Sequence, residues 1–372
     1  MVPRHEIPDA LTSGPPRGRG AAINPANRFE DIRLHVLGDH LDDIAAEAPD
    51  GTRIVTRVYR DHSKTILNHY ESPDMGAGWS LNPYRGCEHG CIYCYARPSH
   101  EYLGLSSGVD FETKIVAKLD APDLLRTEFA RDAWLGHGLM FSGVTDPYQP
   151  VEQKLQLTRR ILEVCIEFAQ PISLITKNKL ITRDLDLFLE LHKHHAVHAA
   201  LSITSLDNKL ASTMEPRASS PRDRLAAVRT LAAAGIPTTV MVAPIIPALN
   251  ESEIPAILEA ARDAGAEGAG MVLLRLPWQN KELFSNWLER EFPDRANHVL
   301  NAMRDMHEGK LYRSEFFVRH TGSGPRAEQI TQVFNLFARK LGFNQHRTPT
   351  SNAEFLRRKE LRQSKGQMGL FA

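Results

Sequence analysis

From Gly78 onward the chain alternates short apolar runs with longer segments in which apolar residues return every three or four positions. Six of the short runs read as strands: Gly78-Leu81, Leu139-Val144, Ile172-Thr176, Val197-Ile203, Thr238-Val242 and Gly270-Leu274. Strands interleaved with helical segments predict repeated β-α units, and therefore an α/β fold built on a parallel sheet. Helix ends are marked as well. Ser220-Pro221 supplies a cap and a first-turn proline, and Gly235 stops the helix after Leu225 to Ala234. Asn250 with Glu253 reads as a capping box that opens a helix ending near Gly265. Parallel strands need right-handed crossovers, and in barrels of this type the chemistry sits on loops at the strands' C-terminal ends. No other internal repeat is present, which argues against solenoids and propellers.

The same pattern divides the chain. Residues 1–27 are rich in Pro, Gly and Arg, a composition that buries too little apolar surface to offset its ordering entropy, and read as a disordered leader. Residues 28–77 form an N-terminal extension, with a strand-like alternation over Arg53-Tyr59, expected to pack outside the main body. The β-α core spans 78–276, a helical region 277–346 and a basic tail 347–372. Lys+Arg and Asp+Glu both number 45, so no overall field draws the chain to nucleic acid or a membrane. With 372 residues and 42% hydrophobic content the chain can bury a large core. No apolar run approaches the roughly twenty residues that cross a bilayer, and the first residues lack a secretory signal, so the cytoplasm is expected.

Three of the four cysteines, Cys87, Cys91 and Cys94, fall within eight residues. Three thiolates are one too few for a four-coordinate site or a four-iron cluster, so a [4Fe-4S] cube held this way keeps one iron open to a ligand. A Cys3His zinc site recruiting His89, stabilising a binding module, is the competing reading, although His89 lies between two of the cysteines with no spacer to wrap a metal. A disulfide scaffold does not suit three close cysteines in a chain of this length.

The C-x3-C-x2-C spacing, with the aromatic Tyr93 before the last cysteine, resembles the radical S-adenosylmethionine (SAM) superfamily. The resemblance covers roughly Gly78 to Leu276. It implies a partial (β/α)6 TIM-like barrel, open enough to admit a large substrate, with a [4Fe-4S] cluster on Cys87, Cys91 and Cys94 and SAM on the open iron. It further implies reductive cleavage of SAM to a 5'-deoxyadenosyl radical that takes hydrogen from a substrate not identified by the sequence. A reductant such as flavodoxin or ferredoxin would supply the electron.

Candidate SAM contacts lie at the strand ends. Phe141-Ser142-Gly143-Val144-Thr145-Asp146 combines small residues that admit a ligand close to the backbone with a carboxylate that accepts hydrogen bonds, and Ser142, Gly143, Thr145 and Asp146 are the candidates there. The sequence departs from the superfamily's usual Gly-Gly-Glu at this place, and Asp146-Pro147 also suits an ordinary turn. Spore photoproduct lyases, the DNA-repair branch, resemble the chain at Tyr93-Cys94 and around Lys177 and Ser202. By that resemblance Tyr93 packs near the adenine while Lys177 and Ser202 contact SAM. Arg217 resembles the arginine that reaches the SAM carboxylate, with an ion pair to Glu215 as the alternative. Arg275 and Asn250 end strands on the same face with no sharper signal. Those lyases carry a further cysteine as hydrogen donor at the end of the second strand, where this chain offers Val144, so repair by that route is in doubt.

Three further features complete the reading. His194 and His198 have ligand spacing without an accompanying carboxylate motif, and are expected on a solvated helix end. Cys165 falls on the apolar stripe of a helix, as an inert core thiol. The basic run Arg357 to Lys365 followed by Gln367-Met368-Gly369-Leu370-Phe371 is similar to peptides that dock bacterial sliding clamps, which makes a clamp or DNA a candidate partner for 357–371 and a nucleic-acid-associated factor the alternative function.

Overall fold

The computed structural model describes residues 18–25, 27–28, 54–74, 76–345 and 349–369, with the side chains of 365–369 left aside. Among these residues ten strands form two sheets. The larger has the order β10-β9-β8-β7-β6-β3-β2 and the smaller β1-β5-β4. The six expected strands are all present as β3 (Gly76–Leu81), β6 (Leu139–Phe141), β7 (Ile172–Thr176), β8 (Val197–Ser202), β9 (Thr238–Ile245) and β10 (Gly268–Leu273). Each pairs in parallel with its successor, giving the curled α/β half-barrel that the β-α alternation implies. β6 ends three residues early. Its successor Ser142 adopts φ 69° and leaves the ladder.

The extension corrects one expectation. It joins the main body: β2 (Leu67–Ser72) pairs antiparallel with the whole of β3. The alternating stretch becomes β1 (Arg57–Arg60), parallel to β5 (Lys114–Ala117), which also pairs β4 (Tyr84–Arg85). A sheet edge left at β3 would expose a row of unpaired backbone groups, and β2 satisfies them.

Helices follow the strands with the caps expected of them at one place and not at another. Ser220 accepts from the Asp223 N–H and opens the helix Pro221–Ala233, and Gly235 follows with φ 78°. The capping box at Asn250 does not form. Asn250 instead accepts from Ile246 N–H and donates to the carbonyls of Thr204 and Pro244, while Glu253 accepts from Ser205 and from Leu206 N–H. Both side chains are drawn sideways because two loops there need partners more than the helix start does.

One contiguous core runs between the sheet and its helices. The tail helix Ala353–Gly369 docks on Leu157–Phe168 through Phe355, which is fully buried against Phe129 and Phe168. Three of its cations turn inward: Arg358 donates to the carbonyl of Ile166, Lys359 to that of Trp134, and Arg362 lies 4.5 Å over the Phe168 ring, while Arg357 stays exposed beside Glu354. The peptide Gln367–Phe371 lies outside the described side chains. Beyond β10, Asn344 turns its amide onto the strand edge, accepting from Ala269 N–H at 3.2 Å and donating to Ala269 C=O at 2.9 Å. No described helix is long and apolar enough to cross a membrane.

Candidate functional site

The cysteine loop leaves the sheet after β3 and β4, at the C-terminal end of the first parallel strand. Gly86 makes the exit at φ 76°, where a Cβ would lie 2.9 Å from the Phe111 carbonyl. Backbone bonds then fix the loop from outside: Cys87 N–H donates to Phe111 C=O, and Ile92 N–H to Met214 C=O. Arg97 has its guanidinium wholly buried and donates to the Cys91 carbonyl at 2.9 Å while pairing with Glu112 at 2.5 Å.

All three loop cysteines are free thiols. Cys87 and Cys91 are 7% and 9% exposed, and Cys94 is half-buried. Burial, reinforced by Asp146 and the other two thiols, holds Cys87 well above its ordinary value. Burial and Glu215 push Cys91 up to about 12, with Lys177 opposing. Burial also raises Cys94, against Arg97 and Lys177. Thiols held protonated by burial become strong ligands once a metal's charge replaces the missing solvation, and they release protons as they bind. Amide N–H groups of His89, Ala96 and Arg97 are directed at the sulfurs. Three thiols in one another's field, supported by amides, are the donor set of a cube with one open corner. The residues therefore fit a four-iron cluster. For a Cys3His zinc site the His89 ring is engaged elsewhere, its Nδ1 3.2 Å from Asp146 and its Nε2 3.3 Å from Asn178. Among the described residues no three His, Cys, Asp or Glu side chains close on a single ion.

Beside the loop lies a buried network that the sequence does not announce. Glu215, 1% exposed, accepts from the Tyr93 hydroxyl, from Thr204 at 2.6 Å and from Arg224. Burial alone would raise its carboxyl, but Arg224 and Lys177 hold it below the ordinary value. The ammonium of Lys177 stands 5.8 Å from the Tyr93 ring centroid. Tyr93, Lys177 and the cysteines thus lie together.

The other expected contacts face different partners. Asp146 lies close enough to bear on the loop, but its oxygens are filled by Thr176 at 2.7 Å, Tyr148 N–H, Lys177 N–H and His89. Burial acts to raise its carboxyl and His89 leads the groups that hold it at about 2. Thr145 donates to the Gly86 carbonyl, and Ser142 to that of Ile175. Gly143 and Val144 give their N–H groups to Asn82. Ser202 is buried, with its carbonyl held by Arg224. Arg217 pairs with Glu88 of the cysteine loop at 2.9 Å, and Glu215 pairs with Arg224 instead. Val144 is 36% exposed after the second parallel strand, and Cys165 is fully buried in its helix. His194 meets Arg358 and His198 meets Thr239, so the pair does not converge.

One signal could have found the hidden network. In Pro221–Ala233 the buried positions are Pro221, Arg224, Ala227, Val228 and Leu231. An arginine on the apolar stripe of a helix requires a buried acid, and the nearest unexplained acid in sequence is Glu215.

Comparison with known proteins bears on the whole. Residues 81–261 match the radical SAM superfamily. An uncharacterised protein of Mycobacterium tuberculosis is 36% identical over 228 residues, covering 61% of this chain and 67% of its own length. Another, from Methanocaldococcus jannaschii, is 32% identical over 196 residues, covering 53% and 70%. Spore photoproduct lyase, solved with bound AdoMet and dinucleoside spore photoproduct, has a similar fold, with a TM-score of 0.53 at 18% identity over 78% of this chain and 81% of that one.

Proposed function

The chain belongs to the radical SAM superfamily, and on that premise we propose that Cys87, Cys91 and Cys94 hold a [4Fe-4S] cluster and that SAM binds beside it in the barrel mouth. When bound, the pair supplies one-electron cleavage of the SAM sulfonium and hydrogen abstraction from a substrate. The observation that carries the reading is the trio of free, mutually close thiols on the loop after the first parallel strand, with the Lys177 ammonium in the field of two of them.

Residue roles follow from what each side chain has left to offer. The Lys177 ammonium, facing Tyr93 and the Cys91–Cys94 edge, holds the SAM carboxylate. Tyr93, fixed through its hydroxyl by Glu215 and Thr204, presents its ring to the adenine. Arg217 acts on the loop through its ion pair with Glu88, and Asp146 through His89, its oxygens being already filled. Ser142, Gly143 and Thr145 shape the second strand's end, which Asn82 and Gly86 hold in place.

A nucleic-acid substrate is the second reading. Two exposed aromatics follow the cluster loop and the last strand, each beside an arginine: Arg275 lies 4.9 Å over Tyr95 and Arg28 lies 4.1 Å over Trp278. Rings and guanidinium groups of this kind suit unstacked bases. With Val144 at the lyase donor position, thymine-photoproduct repair is one substrate test among several.

Anoxic reconstitution with iron and sulfide tests the proposal. The wild type is expected to take up about four irons and to release 5'-deoxyadenosine from SAM with dithionite. Cys91→Ala is expected to lose both. Equal iron in the variant, or none in the wild type, refutes the reading. Adding an oligonucleotide with and without a thymine photoproduct separates the substrates.

A further inference from the structure

The end of the expected leader is packed, and its packing is specific. Arg19, Gly20 and Ala21 are buried. A Cβ on Gly20 would lie 1.9 Å from the Gly90 carbonyl and 3.3 Å from Ile92 N, so this glycine rests directly on the backbone between Cys87 and Cys94. The N–H groups of Gly20 and Ala21 both donate to the Glu112 carboxylate, at 3.0 and 2.8 Å. That carboxylate is the one paired with Arg97, whose other donors hold the Cys91, Ser107 and Gly108 carbonyls. Arg19 closes the arrangement by donating to the Glu112 carbonyl, to Ile54 C=O and to Thr56, which in turn donates to Glu88. Further along, Asn24 bonds with Asp110, and Arg28 pairs with Glu101.

Taking the cluster reading as given, we propose that Arg19-Gly20-Ala21 is a wall of the cluster site, a strap that holds the cysteine loop in shape through Glu112 and closes the loop's face toward the smaller sheet. Glu112 is the positioning residue. Its oxygens join three elements, the strap, the loop and the helix Val109–Thr113, at one buried point. Nothing about the strap depends on apolar burial alone. Its backbone donors would be unsatisfied without the carboxylate, and the Gly90–Ile92 backbone on which Gly20 rests would lose that cover without the strap.

The test uses the full chain, reconstituted without oxygen. Gly20→Ala lifts the strap from Gly90, and Gly138→Ala is the matched control, because a methyl there meets nothing nearer than 4.0 Å. Iron loss to a chelator is followed by absorbance, with amide exchange at Gly90–Ile92 and the electron paramagnetic resonance signal of the reduced cluster recorded on the same samples. Gly20→Ala is expected to gain exchange, to shift the signal and to lose iron about tenfold faster than wild type, with the control unchanged. Fast exchange at Gly90–Ile92 together with wild-type iron loss and an unshifted signal overturns the strap. If Gly20→Ala does not fold, Arg19→Ala takes its place under the same criteria. A wild type without iron fails the cluster reading, which this outcome keeps distinct from failure of the strap.

Discussion

Replacing Glu215 by glutamine perturbs an almost fully enclosed ion pair beside the cysteine loop. Glu215 and Arg224 have side chains 0% and 2% exposed, so neither can turn to water when the other loses its charge. In the variant one amide oxygen must serve three donors, Tyr93, Thr204 and Arg224, and the new amide N–H groups add donors where acceptors are short. Breaking one member of a buried pair costs about 3–5 kcal/mol, chiefly because the remaining charge is left without compensation. For a chain of 372 residues the unfolding entropy near 60 °C is about 0.8 kcal/mol/K, so Tm should fall by about 4–6 °C. Differential scanning calorimetry on the anoxic apo-protein at pH 7 reads this directly. Arg224→Met is expected to cost a similar amount, and the double variant should recover about 2 kcal/mol relative to the sum of the single losses, since no unpaired charge remains. Additivity within about 0.5 kcal/mol would refute the claim that the pair acts as a unit.

Three further outcomes follow from the same geometry. Asp146 is held at about 2 against an ordinary 3.8, so its bonds to His89 and Thr176 stabilise the fold above pH 3.8 and are lost as pH falls from about 3.8 toward 2; acid titration by circular dichroism should show this limb in wild type and a weaker one in Asp146→Asn. Arg97→Met leaves Glu112 buried and unpaired and frees the Cys91 carbonyl, so a loss of about 3–5 kcal/mol is expected in urea unfolding, and an unchanged midpoint would count against it. Lys177→Met should weaken SAM binding about tenfold or more by calorimetry while iron content stays at the wild-type level; equal affinity would remove Lys177 from the SAM site.

Much of the architecture was legible in the chain because strands buried on both faces are nearly continuous apolar runs, and six of them stood out. β2 was hidden for the opposite reason. Its residues Leu67–Ser72 are half-exposed at a sheet margin and carry little hydrophobic signal. The cysteine spacing announced the loop, but the groups that shape it are polar and distant in sequence. Glu112 lies 91 residues from Ala21, and Glu215 lies 122 from Tyr93. Composition read residues 1–27 as a disordered leader, yet Arg19, Gly20 and Ala21 are packed, since a segment poor in apolar side chains can still be ordered when a buried carboxylate satisfies its backbone. Asn250 and Glu253 show the converse, a local motif overridden by neighbouring loops.

Asn344 carries a consequence for the open margin of the sheet. Its amide answers both the N–H and the C=O of Ala269, and Asn344 N–H takes the Glu267 carbonyl, so one residue occupies the first positions of the hydrogen-bonding row that an eleventh strand would claim. A half-barrel leaves its last strand without a natural neighbour, and such a margin invites another molecule to zip onto it. With that stretch of the seam stitched by a side chain, an incoming strand finds no free backbone donor or acceptor at Ala269 to grip.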